Sequence, residues 1–520
     1  MSVRFLSYDV KGIQKSIFSV SSLLSIVGGS ALIDDFDRNA VRSIAESAGN
    51  TEIVFSGGGK GVLETDSYGT AEVVKNALVK EAGQLGLSLR VGISETLDKA
   101  MKEGNELFPY VPDNLHGHPC SESGLFPVQE SGVHPVIQRR IDYGSRDSLG
   151  SRILDLMKEL DAIPDKIRGK KLAFVKTIDQ SDGPHGKAGK KLFSARNRWA
   201  VVSMDGNDLG RQFRECRLEG KARSVWAAKF STAIAHCTEK AFALAMGNVL
   251  EDLLKEDELP IFDDNGQQTI LLPFRPLILG GDDVLLLSHT ALAMRFVRLM
   301  TENFEELSMQ ANDIFGSDSY PLWPANEDGM LRISSGIVFI GTSYPLHSAI
   351  DYAEALLGGA KAKHRSKKKN PEPTPSVIDW ESITESFIDN PSDRRFRDLV
   401  FRDMDLNGCR IELTRRPYRM DELEKKLIPL KEKLKSSISR SVLTGILENM
   451  RKPWSQRVLY LSSFYRHGNN RWIAEFLNET NPADIGDGWI VDDSGIRSTM
   501  LLDAFLLCEE EHRISAGGVK

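Results

Sequence analysis

With 520 residues, 41% of them hydrophobic and 27% charged, the chain has the composition of an ordinary globular protein. It is too long for one core, and roughly two to four domains are expected. The formal net charge of −7 excludes a protein that wraps nucleic acid through bulk positive charge, although local basic patches stay open to it. Five scattered cysteines (Cys120, Cys216, Cys237, Cys409, Cys508) with no CxxC pair exclude a disulfide framework and point to a reducing cytoplasm. The N-terminus lacks the layout of a signal peptide, and no apolar run approaches the ~20 residues of a membrane span, so a cytoplasmic protein without membrane contact is expected.

Residues 4–10 read as a short strand ending at Asp9, followed by Lys11-Gly12-Ile13-Gln14. A mostly helical stretch is expected over 16–48, interrupted at Gly28-Gly29-Ser30. Glu52 to Ser56 reads as a strand, Gly57-Gly58-Gly59 as a turn and Lys60 to Glu64 as a returning strand. Helical periodicity over 70–85 places Val73, Val74, Ala77, Leu78 and Ala82 on one side, and Leu87 to Ile93 closes the unit as a strand. The order β-α-β-β-α-β is that of a ferredoxin-like split βαβ.

Residues 104–195 are rich in Gly, Pro, Ser and His, with a helix expected at about 149–160 and a mobile basic loop at 181–195. His116-Gly117-His118-Pro119-Cys120, with His134 beyond, has the residue types of a zinc site but none of the usual structural spacings, so a loop without zinc is expected. Cys216 and Cys237 lie on helical sequence and read as core residues.

The first order of elements recurs from Trp199. Trp199 to Met204 is a strand, Asp205-Gly206-Asn207-Asp208-Leu209-Gly210 the turn after it, and 222–254 a long helix. Leu277 to Leu287 is a pair of short apolar strands around Gly280-Gly281-Asp282-Asp283; a helix follows at 291–315, a strand at 331–340 and a helix at 349–363. Superposing the units places Asp9 with Asp205, and Gly57-Gly58-Gly59-Lys60 with Gly280-Gly281-Asp282-Asp283. Pro371 to Pro375 reads as a linker, and the spacing of Leu423, Leu427, Leu430, Leu434, Ile438, Val442 and Ile446 favours a helical C-terminal domain. The expected fold is α+β: a first ferredoxin-like (βαββαβ) palm at 1–103, a small insert at 104–195, a second palm at 196–372 and a C-terminal helical domain at 373–520.

An isolated Gly-Gly-Asp-Asp reads equally well as an exposed Asx-type turn. The duplication decides otherwise, because in a split βαβ the end of the first strand and the central hairpin lie side by side. Asp205, Asp282 and Asp283 should therefore converge, and three carboxylates in one place suit Mg²⁺ or Mn²⁺ in two-metal phosphoryl chemistry. They are the candidate catalytic and metal residues. Gly206, Asn207, Asp208, Gly280 and Gly281 offer backbone that approaches a nucleoside triphosphate closely. Lys361 and Lys363 end the last helix of the second palm within a basic run (Lys361 to Lys369) that is either a solvated face or a set of cations for the triphosphate tail. No His-Asp dipeptide and no Ser/His/Asp or Cys/His set with a recognisable elbow is present, so HD-type nuclease activity is not expected.

The ordered set Asp9-Val10-Lys11-Gly12-Ile13-Gln14, Gly28-Gly29-Ser30, Gly57-Gly58-Gly59, Asp205 to Gly210, Gly280 to Asp283 and Ala360 to Lys363 resembles the large, palm-containing polymerase subunit of type III CRISPR effector complexes. The resemblance covers roughly residues 1–370. It implies an enzyme that condenses ATP into 3′–5′-linked, usually cyclic, oligoadenylate messengers when its ribonucleoprotein complex captures target RNA. The donor ATP would sit on Asp205, Asp282 and Asp283. The acceptor would lie against the first palm, near Gly57, Gly58, Gly59 and Ser30, with Lys11 and Gly12 in the same nucleotide-binding set. Expected partners are the other subunits of such a complex with guide and target RNA, although a stand-alone or self-associating enzyme is also open. Two family features are missing from the sequence: an N-terminal HD nuclease domain, and a four-cysteine zinc module of which only Cys120 remains. Two other readings compete, a cyclic-dinucleotide synthase resembling GGDEF proteins and an RNA-complex scaffold with silent palms.

Overall fold

The alternating apolar positions Leu6, Tyr8 and Val10 are buried on one face of β1 (Arg4–Lys11) and Phe5 is buried on the other, as suits the central strand of the first sheet. The structure is a computed structural model; it describes residues 3–20, 22–103, 106–111, 118–124, 127–128, 132–175, 198–255, 261–264, 267–316, 320–341, 344–366, 372–383, 390–464, 471–473, 489–492 and 494–515. The expected loop at 181–195, His116, Gly117 and Lys367 to Lys369 lie outside the described residues.

After β1 come α1 (Ile13–Ile17), α2 (Leu23–Asp35), a π-helical turn (Phe36–Ala40) and α3 (Val41–Ala48). The hairpin β2 (Thr51–Gly57) and β3 (Lys60–Thr65), then α4 (Tyr68–Gln84) and β4 (Ser88–Ser94), complete the first palm. The sheet order is β2-β3-β1-β4, with β5 (Glu106–Phe108) added at the edge after α5 (Leu97–Glu103). On α4 the buried face is Ala71, Val74, Leu78 and Ala82, whereas Val73, expected on that face, points outward.

Gly28-Gly29-Ser30 does not interrupt the helix; α2 runs through it. The reason appears after the short pair β6 (His118–Pro119) and β7 (Pro127–Val128), in α6 (Pro135–Arg146), a helix the sequence pattern did not reveal. A methyl group at Gly28 would lie 1.6 Å from the Arg140 carbonyl oxygen, and one at Gly144 2.1 Å from that of Leu24. The glycines let the backbones of α2 and α6 touch. His134 caps α6, its Nδ1 accepting the Val136 N–H at 3.3 Å, while the Cys120 sulfur accepts the His134 N–H at 3.3 Å.

Next come α7 (Ser148–Glu159), β8 (Lys171–Phe174), β9 (Arg198–Gly206), α8 (Leu209–Glu215) and the 36-residue α9 (Gly220–Lys255). Strands β10 (Ile261–Asp264) and β11 (Gln267–Leu272) form a small sheet in the order β10-β11-β8. The hairpin β12 (Phe274–Gly280) and β13 (Asp283–His289), α10 (Thr290–Phe315), β14 (Ile333–Gly341) and α11 (Leu346–His364) complete the second palm. Its sheet order is β12-β13-β9-β14, which repeats the first, and β15 (Val377–Ser382) then β18 (Tyr418–Arg419) extend it. The copies also share a bulge: the register slips at Val54 in one and at Leu277 in the other, three residues before Gly57 and Gly280.

The chain divides into two compact units, one of 1–190, 204–288 and 295–333, the other of 191–203, 289–294 and 334–520. Within the second, β15 pairs in parallel with β14, and its Asp379 takes both guanidinium nitrogens of Arg395 at 2.6 and 2.7 Å. The C-terminal segment continues with α12 (Pro391–Leu399), β16 (Val400–Asp403), β17 (Cys409–Glu412), a π-helical turn (Leu423–Leu427), α13 (Ile428–Ser437), α14 (Arg440–Met450) and α15 (Trp454–Phe464). It ends with β19 (Ile490–Val491), β20 (Arg497–Ser498) and α16 (Leu501–Ser515). This helix-rich segment also carries a small sheet, β16-β17-β20-β19. The seam Leu423, Leu427, Leu430, Leu434 is buried, but the helix breaks after Ser437, and beyond the break Leu443, Ile446 and Met450 are buried while Val442 is not. Among the described residues no helix is long and apolar enough to cross a membrane.

Gly144→Ala should destabilise the first unit by about 1–3 kcal/mol, because the new methyl meets backbone rather than a movable side chain. Gly83→Ala in α4, where a methyl meets nothing within 4 Å, should stabilise it by about 0.4–1 kcal/mol. Denaturant unfolding of the two variants beside the wild type checks both signs.

Candidate metal and nucleotide site

Strand β9 is buried from Trp199 to Met204, as a central strand covered on both faces must be, and its end carries half-buried Asp205 to the sheet's edge. Beside it, β12 and β13 are anchored by Leu277, Leu279 and Val284 to Leu287, all buried. Gly280 pairs with Asp283, leaving Gly281 and Asp282 as the loop; Gly281 takes φ +61°, which a glycine accommodates without strain. The result is the expected convergence: Asp205, Asp282 and Asp283 each offer an oxygen within 4.8 Å of the others. It is the one such group of possible metal ligands among the described residues. Gly206 gives Asp282 room, since a Cβ on it would lie 3.0 Å from the Asp282 Cβ and would have to push that side chain aside.

Burial pushes the Asp282 carboxyl well above the usual carboxylate range, and the charges of Asp283 and Asp205 push it further. Such a cluster is uncomfortable without a cation. Its donors are hard oxygens with no sulfur or imidazole, the set that suits Mg²⁺ or Mn²⁺. After Asp205 the chain is pinned: the Asn207 N–H donates to the Arg332 carbonyl at 2.8 Å, and Asp208 adopts a left-handed φ of +57° before α8.

The tip of the first palm faces that of the second. A Cβ on Gly58 would be 3.8 Å from the Gly280 carbonyl oxygen, and one on Gly280 3.8 Å from the Gly58 backbone. The first tip does not copy the acids. Position 59, which corresponds to Asp282, has φ +76°, where a side chain is strained, and a Cβ there would have to displace Ile13 Cδ1, 2.3 Å away; Lys60 stands where Asp283 does. Asp9, the counterpart of Asp205, is paired with Lys11.

The remaining expected residues fall in varied places. Lys11 ends β1 and Gly12, at φ +65°, starts α1; Ser30 is buried in the middle of α2; Gly57 is exposed at the first tip. Lys361 and Lys363 lie in the last turn of α11 in the second unit, where the Lys363 ammonium donates to the Arg416 carbonyl at 3.3 Å. Sequence reasoning missed the groups that brace the tips from behind. Arg152 on α7 donates to the Leu279 carbonyl (3.2 Å) and to Glu239 on α9 (2.5 Å); Arg38 on the π-helical turn reaches the same Glu239 oxygen at 2.7 Å and Asp34 at 2.8 Å. Asp37, beside Arg38, accepts the Gly59 N–H at 2.6 Å.

The family model of the Cas10/Cmr2 second palm domain matches residues 198–370. No curated protein matches the chain. Among solved structures, Csm1 of T. onnurineus is 15% identical, with 99% of this chain and 70% of that one covered and a TM-score of 0.50. A Csm1-Csm4 cassette in complex with cA4 is 13% identical, covering 100% and 70%, at a TM-score of 0.44. An apo Csm1-Csm4 cassette is 13% identical, covering 70% and 53%, at 0.39. The chain thus spans 53% of that last structure's chain and 70% of the others, and the likeness to Csm1 of T. onnurineus is one of fold.

If the acids hold a cation, Mn²⁺ should raise the thermal unfolding midpoint of the wild type and EDTA should reverse it. Asp282→Asn should abolish that shift, yet be the more stable protein in EDTA, because it removes a buried like charge. Differential scanning fluorimetry reads both, and an equal Mn²⁺ shift in the variant would remove the metal from this site.

Proposed function

We propose, from the premise that residues 198–370 are a second palm domain of the Cas10/Cmr2 kind, that this chain is a divalent-metal-dependent nucleotidyltransferase. Its reaction would be the condensation of ATP into 3′–5′-linked, cyclic oligoadenylate as part of type III CRISPR antiviral defence. The observation that carries the reading is the meeting of Asp205, Asp282 and Asp283 at a glycine-rich hairpin tip. Their oxygens would hold two Mg²⁺ or Mn²⁺ ions, which when bound lower the pKa of an attacking 3′-hydroxyl and neutralise the triphosphate. Gly280 and Gly281 carry no side chains, so a nucleotide would reach the backbone beside the acids, and Gly206 lets Asp282 lie close over the end of β9. Asp208 and Asn207 follow on the same turn.

The acceptor nucleotide would lie on the opposing Gly57-Gly58-Gly59 tip, where Lys60 stands in place of an acid and Lys11 neutralises Asp9. The choice of ATP, the roles of Ser30, Gly12, Lys361 and Lys363, and partnership with other subunits, guide RNA and target RNA follow the family resemblance. The division into first palm, insert, second palm and C-terminal helical domain, with a cytoplasmic setting, belongs to the same reading.

Labelled ATP with Mg²⁺ or Mn²⁺, with and without target RNA and partner subunits, should yield oligoadenylate. Asp282→Ala with Asp283→Ala should reduce it on the order of a thousandfold or more, since several kcal/mol of charge stabilisation are lost. Product that persists in the double variant sends the active site elsewhere.

A further inference from the structure

We propose that Asp37 is a positioning residue held as a neutral carboxylic acid, and that the π-helical turn it shares with Arg38 fixes the two hairpin tips against one another. This rests on the nucleotidyltransferase reading for its consequence, but not for its geometry.

The first strand of the argument is a proton count. Three oxygen–oxygen contacts close a ring: Asp37 Oδ1 to the Tyr8 hydroxyl at 2.8 Å, that hydroxyl to Ser56 Oγ at 2.6 Å, and Ser56 Oγ to the Asp37 backbone carbonyl at 2.7 Å. Each contact needs one hydrogen. The two hydroxyls bring one each, and the backbone carbonyl brings none. The third is the proton of Asp37 itself: Oδ1–H donates to Tyr8, Tyr8 donates to Ser56, and Ser56 donates to the Asp37 carbonyl. The other carboxyl oxygen, Oδ2, stays free to accept the Gly59 N–H at 2.6 Å. Beside this proton count, burial pushes the Asp37 carboxyl up to about 7, and Asp34 adds to the rise while the Gly59 N–H and the charge of Arg38 oppose it. The charged and titratable groups facing it are thus Tyr8 from β1 and Asp34 and Arg38 from its own helix.

The second strand is where the turn reaches. Asp37 and Arg38 are consecutive, so their side chains leave the helix in different directions. Asp37 goes inward to Gly59, whose carbonyl in turn accepts the Val10 N–H at 2.7 Å. Arg38 goes to Glu239, which it shares with Arg152, and Arg152 ends on the carbonyl of Leu279, the residue before Gly280. One π-helical turn, a feature that recurs at functional sites, thereby sits behind both tips of the candidate site.

The experiment uses the full chain and three proteins: wild type, Asp37→Asn and Asp37→Ala. Asparagine copies the neutral acid, with an N–H for Tyr8 and a carbonyl for Gly59; alanine copies neither. Hydrogen–deuterium exchange at peptides covering 55–61 and 277–284, corrected for intrinsic rates, reads the tips without requiring activity. At pH 6, Asp37→Asn should match the wild type and Asp37→Ala should exchange about tenfold faster or more. The neutral latch is complete below the ordinary carboxylate range and is lost as pH rises through about 7, so at pH 8.5 the wild type should loosen and Asp37→Asn should not. Product formation from ATP should follow the same order, about tenfold or more slower in Asp37→Ala with Mn²⁺ affinity unchanged. If Asp37→Asn behaves like Asp37→Ala at pH 6, the residue acts as an anion and the proposal falls; if Asp37→Ala exchanges like the wild type, it positions nothing. Should Asp37→Ala fail to fold, the pH comparison of Asp37→Asn with wild type still decides. A wild type that makes no product under any condition overturns the proposed function alone, because the exchange experiment stands apart from it.

Discussion

Three carboxylates held within 4.8 Å of one another by a rigid sheet are a constraint that the rest of the first unit is built to withstand. Left without a cation, the site presses hardest on Asp282, which burial disfavours as an anion and whose proton affinity the charges of Asp283 and Asp205 raise further. A chain selected for stability alone would separate them or replace one by an amide. Here the opposite holds: β9 is fully buried up to Met204, Gly206 is trimmed of its Cβ so that Asp282 packs against it, and the hairpin is anchored by a run of buried leucines. Rigidity of that kind is what a site needs when it must keep like charges in place for a metal to bridge.

The duplication shows how one scaffold carries two different tips. Sheet order and the position of the bulge are the same in both palms, so the backbones put equivalent residues at equivalent places. What differs is the character of the tip. Glycine at position 59 takes a left-handed conformation in which a side chain is strained, and a lysine follows, whereas the second tip has acids at both positions. Placing acids at both positions of the first tip would therefore strain the backbone at 59, where φ is +76°, and displace the Ile13 side chain. The asymmetry lies in main-chain geometry as well as in charge.

Much of this was legible in the sequence, and the reason is periodicity. Strands such as Leu277 to Leu279 and helices such as α9 announce themselves through apolar spacing, and the repeat allowed residues far apart in the chain, Asp205 and Asp282, to be placed together. The errors share a different cause. Gly28 and Gly29 read as a break because glycine is a poor helix former, yet a tertiary contact with α6 overrides that propensity. Val73 fits the apolar stripe of α4 by spacing but lies on its edge, outside the buried Ala71-Val74-Leu78-Ala82 face. Residues 377–382 follow a proline-rich stretch that looked like a linker, and only long-range pairing with β14 makes them part of the second sheet. Asp37, Arg38, Arg152 and Glu239 carry no motif at all; they are ordinary charged residues on helices, given meaning by what lies across from them.

Hairpin tips made of glycine solve one problem and create another. With no side chain on either glycine, the facing tips at Gly58 and Gly280 leave an open gap (even an added Cβ would only come within 3.8 Å of the opposite backbone), but the glycines also offer nothing that could hold the tips there. Glycine is the residue with most conformational freedom to lose, so a bare tip is held in place only by constraints from elsewhere. In this fold those constraints come from behind, through a carboxyl group on the Gly59 amide and a guanidinium on the Leu279 carbonyl, both main-chain atoms one residue from the facing glycines. Gripping the backbone rather than a side chain fixes the tip without occupying the space in front of it. That arrangement keeps the gap between the tips open, and it places one buried carboxyl, Asp37, and the partly exposed Arg38, Arg152 and Glu239 on the far side of the two tips.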